Sequence, residues 1–436
     1  MNIVSVRSRS RTTPDRQMTR VLSLLSWWLI LPSWAVIASV YQPACAAEQI
    51  TKGPVLLGVY QDRAALMWET SSQESCKLNY GIDEKLSDFV ESKGQRVEYT
   101  TTTDSNEQIK HTAYIHKVWL ENLQPGQTYR YRIASQDSQS RTFKFRTAPT
   151  DAQNTTFIVY GDNRANAKVH RQLIKRMIKE KVDFVVNCGD LVPNGDKYEQ
   201  WNSQFFTPIK DLAESVPIYT IKGNHEGSNG NYEKLLVPPG RTNNFSFDYG
   251  PVHFFCTDNS NYKKTDANEA LRRIDADLRN SRAAWNFVTY HVPSVDFAAH
   301  WSAWGYPNML ARLAAMPVDF VITGHSHLYE RFRPVAPPAQ GNGSYVTYIT
   351  TGGGGAPLKP IVKSEFHAVA ASTYHFCLFK IDGNKLTMDA IDAKGTVIDH
   401  LEITKTDGRL NQEYLDTAVP LNQLRRFQQA NLHRQN

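Results

Sequence analysis

The sequence is poor in cysteine. It has five in 436 residues and no Cys-x-x-Cys pair. That excludes zinc ribbons, dithiol redox motifs and densely disulfide-bonded scaffolds. It has no internal repeat, which excludes solenoids and propeller arrays. It also has no basic stripe. The net charge is +6, but Arg7, Arg9, Arg11, Arg16 and Arg20 against Asp15 already supply +4 before residue 48, so only +2 remains for the rest. A nucleic-acid polymer is therefore not an expected partner. Outside residues 21–40 no apolar run is long enough to span a bilayer. What is present is globular: 41% hydrophobic and 21% charged residues, in a chain long enough for two domains.

Residues 1–47 read as a secretory signal, with arginines first, then the apolar run, then Ala44-Cys45-Ala46-Ala47. The competing reading is a retained anchor. Cleavage predicts a periplasmic or secreted protein with no stable membrane span. It would leave Cys76, Cys188, Cys256 and Cys377. The last three sit inside apolar, strand-like runs where buried free cysteine is common, and their spacing leaves any pairing open. Nothing in the sequence fixes the oligomeric state.

Residues 48–148 read as a small all-β sandwich of short strands and frequent turns. The stretch Leu123-Gln124-Pro125-Gly126-Gln127-Thr128-Tyr129 resembles the corner of fibronectin type III modules, in which a tyrosine hydroxyl ties the turn. Residues 149–404 alternate strands with helical stripes. Val169, Leu173 and Met177 fall four apart, Leu271, Ile274 and Leu278 repeat the pattern, and Met309, Leu310 and Leu313 do so briefly. An α/β fold with mixed sheets follows. Residues 405–436 read as a polar, loosely attached tail.

Five apolar runs end in donors that suit metal ions. The segments are Gly161-Asp162-Asn163, Gly189-Asp190, Gly223-Asn224-His225-Glu226, Tyr290-His291 and Gly324-His325-Ser326-His327. Ligands in α/β folds bind beyond the carboxyl ends of strands, so five such ends can aim at one place. Carboxylate and amide oxygens suit hard cations, and imidazole suits transition metals. A metal pair about 3.5–4 Å apart can share one carboxylate and neutralise charge on a phosphoryl group. Glu226 reads as support for these loops, not as a ligand. Phe297, Trp301, Trp304 and Tyr306 either wall the pocket or pack the core.

These motifs, above all Gly324-His325-Ser326-His327-Leu328-Tyr329-Glu330-Arg331, resemble the calcineurin-like metallophosphoesterases, closest to the purple acid phosphatase branch with its fibronectin-like leading domain. Phe247-Asp248-Tyr249-Gly250-Pro251-Val252-His253-Phe254 and the glycines 352–355 share the likeness. It implies a four-layer α/β sandwich behind the all-β domain, and two divalent or trivalent ions (iron, manganese or zinc). It implies hydrolysis of small phosphate esters, most simply monoesters, by a metal-bound hydroxide. By the same resemblance Asp190 bridges the ions, Asp162 and His327 serve the first, and Asn224, His291 and His325 serve the second. His225 touches phosphate. His300, nine residues after His291, either serves the leaving group or is an ordinary packing histidine. Diester or nucleotide hydrolysis, and a catalytically impaired binding protein, are the alternatives.

The chain departs from that pattern twice. Pro193 stands where purple members carry a tyrosinate, which implies a colourless protein. Arg164 stands where related enzymes carry a histidine. It either grips a substrate phosphate or pairs with an acidic neighbour in place of the lost ligand.

Overall fold

The computed structural model describes residues 50–135, 138–297, 303–337 and 343–432. The arginine-rich leader, His300 and Trp301 lie outside the described residues. Among those residues no helix is long and apolar enough to cross a membrane.

The leading domain is two four-stranded antiparallel sheets. One runs in the order Ile50–Val59, Ala64–Thr70, Gln108–Leu120, Gln95–Thr102, and the other Asp88–Lys93, Ser75–Gly81, Thr128–Ala134, Phe143–Arg146. Side chains of a strand alternate between faces, and Tyr129, Tyr131 and Ile133 all point into the sandwich core. The Tyr129 hydroxyl accepts the Gln124 N–H at 2.9 Å, which closes the turn where Gly126 takes a φ of +65°.

The first two strands do not alternate in hydrophobicity because both faces are covered. Leu56, Leu66 and Trp68 fill the sandwich, while Val55, Leu57, Ala65 and Met67 pack against helices of the second domain. Continuous apolar runs are the expected signature of a doubly buried sheet. Polar ties reinforce the contact. The Tyr219 hydroxyl donates to the Val59 carbonyl at 2.5 Å, Tyr131 donates to the Glu214 carbonyl at 2.8 Å, and Lys117 Nζ donates to the Val237 carbonyl at 2.8 Å.

The second domain has two seven-stranded mixed sheets. Asn154–Tyr160, Phe184–Asn187 and Ile218–Thr220 run parallel in the first, followed by His375–Asp382, Lys385–Asp392 and Val397–Thr406 antiparallel. Val252–Cys256, Trp285–Thr289, Phe320–Thr323 and Thr347–Thr351 run parallel in the second. The sheets face each other through edge-to-face rings: Phe157 meets Phe254 and Phe287 at 5.3 Å each, and Phe379 meets Phe287 at 5.6 Å. Cys188, Cys256 and Cys377 lie in this layer, and they and Cys76 are buried and unbridged.

Helices cover the outer faces, as their stripes predict. Ala167–Met177 buries Leu173, Ile174 and Met177, and Asn166 caps it by accepting the Val169 N–H. Ala267–Leu278 buries Leu271, Ile274 and Leu278 behind an Asp266 cap. The result is the expected four layers.

Two regions differ from the sequence reading. The helical stretch from Tyr198 through Ala213, which carries Trp201, Phe205 and Ile209 into the core, was not foreseen; a π-helical turn interrupts its 3.6-residue period. The tail is not loose either. Val419–Pro420 pairs with Val335–Ala336, and Tyr414, Val419, Leu421 and Leu424 are buried. A few apolar side chains suffice because they complete an existing core rather than build one.

His253 makes one pH-dependent contribution to this fold. Its Nδ1 lies 2.7 Å from Asp248 and its Nε2 2.6 Å from Asp277. Burial disfavours the cation, but the two carboxylates outweigh it and raise the imidazole from 6.5 to about 9. A raised folded-state pKa contributes stability that is complete below the unfolded value and is lost as pH climbs through the folded one. The stability gap between the wild-type chain and His253→Gln should therefore be constant below about pH 6.5 and close by about pH 9. Urea midpoints across that range test it; a gap that widens with pH contradicts it.

Candidate metal centre

The donor loops leave neighbouring strand ends and pack backbone against backbone. Asp162, Asp190 and His325 adopt φ of +58°, +57° and +69°. Non-glycine residues in the left-handed region are strained, and such strain collects at functional sites. Neighbouring glycines let the loops touch. A Cβ on Gly189, which has a φ of +97°, would meet the Gly223 nitrogen at 2.8 Å; one on Gly324 would meet Asp162 Oδ2 at 2.5 Å.

Six of the residues singled out in the sequence meet at this point. Asn224 Oδ1 lies 3.0 Å from His291 Nε2 and 3.0 Å from His325 Nδ1, and His291 Nε2 lies 3.3 Å from Asp190 Oδ1. Ligand atoms about 2.1 Å from one ion stand roughly 3–3.5 Å from each other, so these four donors have the spacing of one coordination sphere. Beside them, Asp162, Asp190 and His327 each offer an atom within 4.8 Å of the others. Asp190 belongs to both sets.

The imidazoles are held in a usable tautomer. His291 Nδ1 donates to the Cys188 carbonyl at 2.8 Å and His327 Nδ1 to the Pro357 carbonyl at 2.9 Å. A carbonyl only accepts, so Nδ1 carries a proton and Nε2 is the nitrogen that faces the centre. Asp162 Oδ2 accepts the His325 N–H at 2.8 Å, whereas its Oδ1 is buried without a hydrogen-bond partner. A buried carboxylate oxygen that accepts no hydrogen bond is costly. Burial pushes the Asp162 carboxyl well above its ordinary pKa. Burial also opposes charge on Asp190, but His291, His225 and Arg164 outweigh it and hold that carboxylate well below the usual range. A cation beside Asp162 Oδ1 removes the penalty, so the donor set fits metal.

Glu226 is a brace, as its position suggests. Its carboxylate accepts the N–H groups of Gly223, Asp190 and Leu191 at 2.6, 2.9 and 2.8 Å, tying two ligand loops together. Burial and then the charge of Asp190 raise it to about 7. His225 Nδ1 donates to the Pro193 carbonyl at 2.7 Å, and its ring is one-third exposed, 3.9 Å from Asp190. Arg164 is turned inward: Nε donates to Asp190 Oδ2 at 3.1 Å and Nη2 lies 3.3 Å from His327 Nε2. Of its two readings, pairing with an acidic neighbour describes the geometry. Trp304 and Phe297 are core residues of the outer helical layer.

One positioning residue escaped the sequence reading. Asn259 Oδ1 accepts the N–H groups of His291 and Val292 at 3.0 Å each, and Nδ2 donates to the Val292 carbonyl at 2.8 Å. The signal was available, because Thr257-Asp258-Asn259 also follows an apolar strand. An open cleft of about 480 Å³ adjoins Asn224 and is lined by Lys222, Ser228, Ser260 and Asn261.

Comparison with known proteins agrees with this geometry. Residues 155–329 match the calcineurin-like phosphoesterase family and residues 55–147 match the purple acid phosphatase N-terminal domain. The chain is 25% identical over 346 residues to acid phosphatase type 7 of Mus musculus, spanning 68% of this chain and 78% of that protein. It is 26% identical over 366 residues to a probable inactive purple acid phosphatase 1 of Arabidopsis thaliana, spanning 69% of this chain and 57% of that one. In fold it is similar to the purple acid phosphatase PPD1 of yellow lupin seeds, with a TM-score of 0.65 at 19% identity over 80% of this chain and 73% of the other. Two sequence domains and one inward-facing donor cluster lead to the same assignment: the chain carries a calcineurin-like phosphoesterase domain over residues 155–329, preceded by a purple acid phosphatase N-terminal domain over residues 55–147.

Proposed function

We propose that this chain is an exported phosphatase that hydrolyses small phosphate monoesters at a metal centre spanning two ion positions. The observation that carries the reading is the meeting of Asp162, Asp190, Asn224, His291, His325 and His327 at one point, with Asp162 Oδ1 buried and without a hydrogen-bond partner. The arginine-rich, apolar leader supports export.

Asn224, His291, His325 and Asp190 would hold one ion, and Asp162, His327 and Asp190 the other. Bound there, such ions acidify water and neutralise phosphoryl charge. The chain supplies the rest. Glu226 and Asn259 fix the ligand loops before substrate arrives, so little reorganisation accompanies the reaction. His225, anchored by the Pro193 carbonyl, stands on the open side, where its Nε2 meets a phosphoryl oxygen and delivers a proton to the leaving oxygen.

A second reading, nucleotide or diester hydrolysis on the same site, is favoured by the cleft beside Asn224, which has room for a bulky leaving group. Rates on a monoester, a diester and a nucleotide, with manganese, zinc or iron added, separate these. We expect the monoester to be fastest. Chelation should lower its rate at least about a hundredfold, and added metal should restore it. A metal-loaded protein that hydrolyses none of the three would be a binding protein instead.

A further inference from the structure

We propose that Arg164 is a built-in cation at the first-ion position, so that the chain holds one metal ion tightly, on Asp190, Asn224, His291 and His325, and a second only by displacing this guanidinium. The inference rests on the reading of these strand ends as a metal centre, and it goes further by making the two positions unequal.

The two halves of the centre differ in what their donors face. Asn224 Oδ1 faces His291 Nε2 and His325 Nδ1 at 3.0 Å each, and His291 Nε2 also faces Asp190 Oδ1 at 3.3 Å. In the other half, two of the three donors are engaged by one side chain. Arg164 Nε donates to Asp190 Oδ2 at 3.1 Å, and Nη2 donates to His327 Nε2, 3.3 Å away. The second bond has a defined direction. His327 Nδ1 donates to the Pro357 carbonyl, so Nε2 is the acceptor. The guanidinium thus uses the lone pairs that a first ion would need.

Arginine cannot yield its proton and become a ligand. An ion entering this half must therefore break two charge-assisted or directional hydrogen bonds and push aside a like charge. The side chain is only 16% exposed, so its new position must also lie in a confined space. Among the described residues, the donors grouped on this side are Asp162, Asp190 and His327, three against the four on the other. Asp162 Oδ1 keeps its attraction for a cation, because it accepts no hydrogen bond from the guanidinium. The first position is therefore weakened and exchangeable, not abolished. A phosphoryl group bound across the centre would face one fixed positive charge on this side, supplied by the chain.

Metal stoichiometry tests this without recourse to activity. The wild-type chain, Arg164→Gln and Arg164→His are loaded with excess zinc or manganese, passed through metal-free buffer and analysed by elemental mass spectrometry. We expect about one ion per wild-type chain and about two per Arg164→His chain. Arg164→Gln should bind its second ion at least about tenfold tighter than wild type in a calorimetric titration. Cobalt titration gives an independent reading: visible absorbance should saturate near one equivalent in wild type and near two in Arg164→His. Thermal unfolding verifies that the variants fold. Two tightly held ions on the wild-type chain overturn the proposal, as does a single ion on every folded variant. An absence of bound metal on wild type and variants alike rejects the metal centre itself, an outcome distinct from either.

Discussion

Replacing Asp190 with Asn should lower turnover on a phosphate monoester about a thousandfold or more and release the tightly held ion. Asp190 is the one side chain that both halves of the centre share. Oδ1 accepts the His225 N–H at 2.9 Å and faces His291 Nε2 at 3.3 Å, while Oδ2 receives Arg164. The side chain is buried. Asparagine fills the same volume, but it removes the charge that His291, Arg164 and any bound ion share. It also replaces one acceptor with an N–H₂ group. In either orientation that donor points at a partner which itself donates or must bind metal, so the loss is larger than one hydrogen bond. Turnover, metal content and the unfolding midpoint of the folded variant check the expectation. Near-wild-type turnover with full metal content would remove Asp190 from the centre.

The largest expected effect on stability lies just behind the site. Asp399→Ala should destabilise the chain by about 3–5 kcal/mol, the range for stranding one partner of a buried ion pair. Arg331 donates Nε and Nη2 to the two Asp399 oxygens at 2.6 and 2.8 Å, and the Tyr329 hydroxyl donates to Oδ2 at 2.6 Å. Tyr329 and Arg331 lie on the strand Tyr329–Phe332 that follows the His-Ser-His loop, and Asp399 belongs to the facing sheet. The pair therefore bolts the two sheets together beneath the ligands. Its desolvation has already been met, so removing only the acceptor leaves a guanidinium with 10% exposure and no counter-charge. Replacing both partners with apolar residues of similar size should recover most of the loss. Urea unfolding of the single and double variants decides it. A loss below about 1 kcal/mol for Asp399→Ala would show that water compensates the arginine. The most family-like stretch of the sequence thus divides by place: its histidines lie among the clustered donors, and its tyrosine and arginine tie the two sheets together.

Much of this was readable because it is local. A donor directly after an apolar run must emerge at a strand end, whatever surrounds it, and a buried sheet with parallel neighbours gathers such ends on one edge. That rule found Asp162, Asp190, Asn224, His291, His325 and His327. Applied once more it would have found Asn259. It failed for the tail, where Tyr414, Val419, Leu421 and Leu424 are too sparse to mark an element until a core exists to receive them.

The sequence by itself determined which atoms are available for metal, the order in which strands deliver them, and the absence of a tyrosine or histidine at positions 193 and 164. Only the tertiary structure decided how those atoms are paired. Asp162 receives an N–H from a residue 163 positions away, and Arg164 reaches His327 across the same span. No periodicity encodes such contacts, because they arise when two sheets pack and bring their edges together. For that reason Arg164 read equally well as a grip on substrate or as a partner for an acid, until packing turned its guanidinium toward Asp190.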